Sequence, residues 1–183
     1  LSPVETGAES SRIPKTYIRA KGRQLVVGEE DTPIRLEGVC FGNQVWGNPP
    51  LPPPRHHAER DFVRIKEMRM NVIRFYLNYG LFEDDRRPYE YKETGWEWLD
   101  KNVEWAKKHG IYLIFNMHVP QGGFQSHGEG MALWDDPEIQ NRLVALWRAI
   151  AERYKDETIV AGYDLVNEPI ARSPEDWEQL ARR

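Results

Sequence analysis

The residues with the strongest chemical character close an apolar run. In GYDLVNEP, residues 162–169, a stretch carrying Tyr163, Leu165 and Val166 ends in an amide, a carboxylate and a proline. Pro169 steers the residue before it away from helical geometry, so an extended Glu168 is expected, its carboxylate aimed from a strand tip. Apolar neighbours would favour the protonated form, as a general acid near neutral pH requires. Asn167 is neutral and can bond a substrate hydroxyl without competing for that proton.

Other polar residues interrupt apolar runs in the same way. Arg74 lies inside NVIRFYL (71–77), where a guanidinium is costly unless a carboxylate pairs with it. The expected partner is a second catalytic acid, held ionised by the positive charge. His118 ends IYLIFNMH (111–118) together with Asn116; its chemistry fits a sugar-binding donor, a proton partner or a packed core histidine. Asn43 to Trp46 follow the first strand candidate, and Tyr76 and Asn78 share the second with Arg74. Any one of these can cap a loop or satisfy frayed backbone. Four such groups at four strand ends point to a site.

The elements that must position them alternate. YIRAKGRQLVV (17–27) reads as a hairpin turning near Lys21-Gly22, Gly28 to Pro33 as a second turn, and IRLEGVCF (34–41) as a strand. NPPLPPP (48–54) is too proline-rich for helix or inner strand and reads as a stiff extended loop. Ala58, Phe62, Ile65 and Met68 share a helical face, ending at Asn71. Thr94-x-x-Glu97 has the form of a capping box before a helix with Leu99, Val103 and Ala106, stopped by Gly110. Asp136-Pro137-Glu138 starts a helix with the stripe Ile139, Leu143, Leu146, Ile150. TIVAGYDLV (158–166) is a fourth strand, and Ser173-Pro174 opens a fourth helix.

Continuous apolar strands alternating with helices argue for an α/β fold with a parallel sheet. No glycine-rich phosphate loop follows any strand. A (β/α)8 TIM barrel needs roughly 250 residues, so four βα units amount to half a barrel behind an N-terminal hairpin. Residues 1–16 read as a polar tail and 17–183 as the half barrel.

Composition narrows the function. The chain has 183 residues, 40% apolar and 30% charged, with a net charge of −4. It carries no basic stripe for nucleic acid and no apolar run long enough to cross a bilayer. The first residues lack the charged-then-apolar pattern of a signal peptide. One cysteine, Cys40, excludes an internal disulfide. Seven Trp and eight Tyr exceed the needs of a small core, and some fit as stacking platforms for a flat ligand such as a sugar ring.

Together, RLEGVCF, NVIRFY, NMHVPQGG and LVNEP resemble the retaining glycoside hydrolases of the (β/α)8 clan, and within it family 5, the cellulase and mannanase group. The likeness runs through nearly the whole chain but only the front half of such an enzyme. It implies that Glu168 is the acid/base, that Asn167 binds the sugar 2-hydroxyl, that Arg74 keeps the nucleophile ionised and that His118 contacts the sugar. Trp46, Asn116, Trp134 and Tyr76 are implied as substrate contacts. Asn116 stands where many relatives have Asp, and Cys40 where Asn is more usual. Neither metal nor cofactor is implied.

Retaining hydrolysis needs two carboxyl groups about 5 to 5.5 Å apart, and the family's nucleophile is a Glu on the seventh strand. Glu37, Glu83, Asp84, Asp85 and Glu129 are poor substitutes by placement. The nucleophile is therefore expected outside this chain, on a complementary C-terminal half-barrel fragment, or else the chain self-associates through its open edges. A β-linked oligo- or polysaccharide is the implied substrate, which favours a secreted protein. Two other readings compete: a non-catalytic carbohydrate-binding or assembly fragment using the aromatic rim, and a metal-dependent hydrolase recruiting His56, His57, His118 and Glu168.

Overall fold

The computed structural model describes residues 16–45, 57–126 and 130–183. The expected polar tail, apart from Thr16, and the proline-rich loop lie outside these residues, as do Trp46, His56 and Glu129.

Three short strands, β1 (Arg19–Lys21), β2 (Gln24–Val27) and β3 (Thr32–Ile34), form an antiparallel sheet in chain order. Gly22 supplies the left-handed turn at φ 61°. The second expected turn is shorter than the sequence suggests, because Thr32 and Pro33 pair with β2. Pro33 is tolerated there because β3 is an edge strand. The strand expected over 34–41 is divided: β4 (Gly38–Phe41) belongs to a second sheet. Asn71 is the physical cause of the break. Its Oδ1 accepts from the Glu37 amide and its Nδ2 donates to the Arg35 carbonyl, both at 2.8 Å, while its own amide donates to Glu37 O at 2.8 Å, so Arg35 and Glu37 are bonded to one residue rather than to a continuing ladder.

The second sheet is parallel, in the order β4, β5 (Val72–Asn78), β6 (Tyr112–Val119), β7 (Val160–Asp164). Helices α1 (Glu59–Glu67), α2 (Glu93–His109) and α4 (Pro137–Tyr154) make the crossovers, and α5 (Pro174–Ala181) follows β7. A four-residue helix, α3 (Ala132–Asp135), precedes α4 and was not expected. These are the four βα units of a TIM-type half barrel.

Strand alternation divides the chemistry between the sheet's faces. Ile73, Phe75, Leu77, Leu113, Phe115 and Met117 are wholly buried against the helices. The residues between them, Arg74, Tyr76, Ile114, Asn116 and His118, point to the other face. Register then stacks them in layers: Cys40, Arg74, Ile114 and Gly162 lie abreast, and Tyr76, Asn116 and Asp164 form the next layer. Gly38 starts β4 because nothing larger fits: an added Cβ would stand 1.7 Å from the Val72 carbonyl oxygen.

Helix ends follow local chemistry in three of four expected places. Gly110 closes α2 in the left-handed conformation, Asp136 accepts from the Glu138 amide at 2.8 Å, and Ser173 accepts from the Asp176 amide at 3.1 Å. The expected capping box at Thr94 does not form; α2 starts at Glu93 with Lys92 as its cap. Lys92 is held there by tertiary bonds, its amide to Phe82 O and its Nζ to Gly80 O, both 2.7 Å. Gly95 then packs directly on the Leu81 carbonyl.

Candidate active site

The C-terminal ends of β5, β6 and β7 bring together Arg74, Tyr76, Asn116, His118, Asp164, Asn167 and Glu168. Arg74 is the hub. Its Nε and Nη2 donate to Asp164 Oδ2 at 2.8 and 2.6 Å, Nη2 also to Asn167 Oδ1 at 2.9 Å, and Nη1 to the Tyr76 hydroxyl at 3.0 Å. Burial works against its charge, but the Asp164 carboxylate more than offsets this, so the guanidinium titrates above its ordinary range. This corrects the expected partner. Arg74 is neutralised within the chain by Asp164, which was not among the expected partners. The signal was available: Asp164 is the one charged residue inside the apolar run that forms β7.

His118 is 6% exposed and lies flat on Tyr76, ring centroids 4.0 Å apart and planes 11° from parallel. Its Nδ1 pairs with Asn116 Oδ1 at 2.9 Å, which assigns the Nδ1–H tautomer. Burial first, and then the nearby Arg74 charge, push its pKa down to about 4, against the pull of Glu168 and Asp164. His118 is therefore a neutral imidazole across the physiological range. Asn116 is wholly buried, and its Nδ2 has no bonding partner among the described residues. Tyr76 titrates above its usual range, through its hydrogen bond with Cys40 first and burial second.

Glu168 departs from expectation in two respects. Its backbone is left-handed, at φ 45°, rather than extended. Such a conformation costs a residue with a Cβ roughly 1–2 kcal/mol and is held by tertiary bonds on either side. On one side the Asn167 amide donates to Met117 O at 3.0 Å, keeping this segment alongside β6 after the β7 ladder has ended. Its side chain is exposed rather than enclosed by apolar groups, and its Oε2 accepts from the Ser126 hydroxyl.

Trp134, expected as a stacking platform, is instead 8% exposed, and its indole N–H donates to Gln125 Oε1 at 2.8 Å. A ring packed in the core offers no face to a sugar, so this expectation is withdrawn. Trp46 lies outside the described residues. Among the alternative carboxylates, Glu83 is buried and accepts from Arg142, Gln121 and the Tyr89 amide. It holds the loop after β5 to α4. Asp85 shares Arg142 at 2.7 Å. His57 bonds Asn102 at 2.5 Å and sits among Phe41, Phe62, Phe75 and Trp105 on the helix side of the sheet, remote from His118. Among the described residues no group of three metal-ligating side chains forms, and no helix is long and apolar enough to cross a membrane.

The family model for cellulase, glycosyl hydrolase family 5, matches residues 15–183. A beta-xylosidase of Phanerodontia chrysosporium is 34% identical over 118 residues, 61% of this chain and 25% of that protein. Endoglucanase C of Acetivibrio thermocellus is 32% identical over 123 residues, 67% of this chain and 36% of that protein. The chain thus spans about a third or less of the curated relatives it matches. The solved endoglucanase Cel5A of Pseudomonas stutzeri superposes with a TM-score of 0.63 at 21% identity, covering 85% of this chain and 48% of that one. At that identity the likeness speaks for the fold.

Proposed function

The chain belongs to glycosyl hydrolase family 5, the cellulase family, and from that premise we propose that it is the part of a retaining β-glycan hydrolase that supplies the acid/base, Glu168. The observation that carries the reading is the Arg74–Asn167 bond at 2.9 Å. It ties the residue beside Glu168 to β5, across β6, at the mouth of the half barrel.

In this mechanism the Glu168 carboxyl gives its proton to the glycosidic oxygen while a second carboxylate attacks the anomeric carbon. The breaking C–O pair stays on the leaving oxygen. Glu168, now ionised, takes a proton from the water that releases the sugar. Asn167 has its Oδ1 committed to Arg74, so its Nδ2 is the donor assigned to the sugar 2-hydroxyl. Neutral His118 and its platform Tyr76 contact the sugar at the cleaved bond. An endo-β-glucanase-like activity is the finer reading we infer, in a family whose named relatives include a beta-xylosidase as well as endoglucanase C.

The attacking carboxylate belongs to a complementary half barrel, as continuing or separate chain. Three features support this. Both β4 and β7 are sheet edges. A groove of about 210 Å³ between α4 and α5, lined by Leu143, Val144, Trp147, Leu165, Trp177 and Leu180, is apolar. Arg74, Asp164 and Asn167 turn an open polar face away from the helices. We place the protein outside the cell, where glycan polymers are. Release of reducing sugar from a β-glucan by residues 1–183 joined with such a half, abolished in Glu168→Gln, tests the reading; undiminished release in the variant contradicts it. A binding-only fragment using the aromatic rim is the competing reading, and activity of the joined halves that is lost in Glu168→Gln would exclude it.

A further inference from the structure

Ser126 stands in the loop after β6, and its hydroxyl donates to Oε2 of Glu168. We propose that Ser126 is a positioning residue for the acid/base, reserving Oε1 as the oxygen that carries and delivers the proton. The proposal rests on the reading of Glu168 given above.

A hydroxyl donating to one carboxyl oxygen is compatible with a proton on the other. When the Oε1–H bond breaks and the proton passes to the leaving oxygen, the Ser126 bond stays in place. It changes from a neutral hydrogen bond to a charge-assisted one, which is roughly twice as strong. Ser126 thus stabilises the ionised product of proton transfer more than its starting state, the differential that accelerates a step. In the second half of the cycle the same bond holds the carboxylate that receives a proton from water.

Gln125, the residue before Ser126, explains why the hydroxyl is where it is. It is wholly buried. Its Nε2 donates to Gly130 O at 2.9 Å and Gly123 O at 3.3 Å, while its Oε1 accepts from Trp134 at 2.8 Å and from the Ile170 amide at 3.5 Å. One side chain therefore clasps the loop carrying Ser126 to the segment that follows Glu168. It also braces the left-handed backbone at Glu168 from the side opposite Met117. Gly130 leaves the clasp its room, since a Cβ there would stand 1.9 Å from Gln125 Nε2.

Two readouts on Ser126→Ala and Ser126→Thr test the role. Infrared difference spectra between residues 1–183 and their Glu168→Gln variant isolate the Glu168 carboxylate stretch. That band is expected to move in Ser126→Ala and to return in Ser126→Thr; an unmoved band overturns the proposal. In the active assembly, Ser126→Ala should slow cleavage of a phenyl β-glycoside, whose leaving group needs a proton, about tenfold, while a dinitrophenyl glycoside changes less than about twofold. Ser126→Thr should recover most of the loss. Equal losses on both substrates overturn the proposal. Full phenyl-glycoside activity in Glu168→Gln would instead remove the acid/base reading itself, and the infrared band, which needs no turnover, tells the two failures apart.

Discussion

Arg74 and Asp164 form the ion pair around which the mouth of the half barrel is assembled: two nitrogens of one guanidinium converge on a single carboxylate oxygen, at 2.8 and 2.6 Å. The two residues lie one layer apart on the sheet's inner face, so the pair ties β5 to β7 across β6. Asp164→Asn keeps the shape and removes the charge. Each side chain is about a third exposed, which limits the loss to about 1–2 kcal/mol of stability. Arg74→Lys should cost a similar amount, because an ammonium cannot reproduce the fork to Asp164 and Asn167. Chemical denaturation of both variants measures this.

His118 makes stability depend on pH with a defined sign. Its ordinary value is 6.5 and burial pushes it down to about 4, so between those values the unfolded chain binds a proton that the folded chain refuses. Its contribution is complete above about pH 6.5, is lost as pH falls towards 4, and amounts to at most about 3 kcal/mol. Carboxylates such as Asp100, held below their usual range chiefly by Arg153, titrate in the same direction at lower pH. The informative quantity is therefore the difference between wild type and His118→Gln. Denaturation midpoints at pH 4.5 and 7 should converge in the variant relative to wild type.

Trp134→Phe separates the two roles considered for that ring. As part of the Gln125 clasp, Trp134 contributes a buried hydrogen bond, and the variant should lose about 1–2 kcal/mol. Glycan affinity should not follow ring area, since the ring has no exposed face. A large loss of binding at unchanged stability would restore the stacking role.

Much of this was legible in the sequence, and most of what was missed was set by bonds between distant segments. Periodicity located β5 and β6 to within a residue and the stripes of α2 and α4, because these apolar runs are long and their core is local. Arg74, His118, Asn167 and Glu168 stood out as polar residues ending or interrupting apolar runs, and the structure brings all four to one mouth. What failed depended on tertiary bonds between distant segments. Asn71 splits the expected strand at 35–37, Lys92 sets the start of α2 ahead of the Thr94 signature, and Met117 and Gln125 hold Glu168 in a backbone conformation that Pro169 alone does not suggest. Asp164 was hidden for the opposite reason. A charge inside a strand is visible in sequence, but its value as a partner appears only when register sets it one layer above Arg74.

The buried pair Glu83–Arg142 is structural. Arg142 donates to Glu83 Oε2 at 3.0 and 3.2 Å, with both side chains nearly inaccessible. Glu83→Ala leaves Asp85 as the remaining carboxylate on Arg142, so the loss should be about 2–4 kcal/mol, short of an orphaned charge. Thermal denaturation should show the loss, while the ratio of phenyl to dinitrophenyl glycoside rates stays at the wild-type value.

The central claim, that Glu168 moves the proton, is tested most directly by azide rescue of Glu168→Ala in the active assembly with a dinitrophenyl β-glycoside. That leaving group departs without a proton, so the glycosyl–enzyme bond still forms and only its release is slow. Azide needs no base, and it should restore turnover and yield the β-glycosyl azide. Turnover unchanged by the substitution, or slowed with no response to azide and no azide product, would contradict the account.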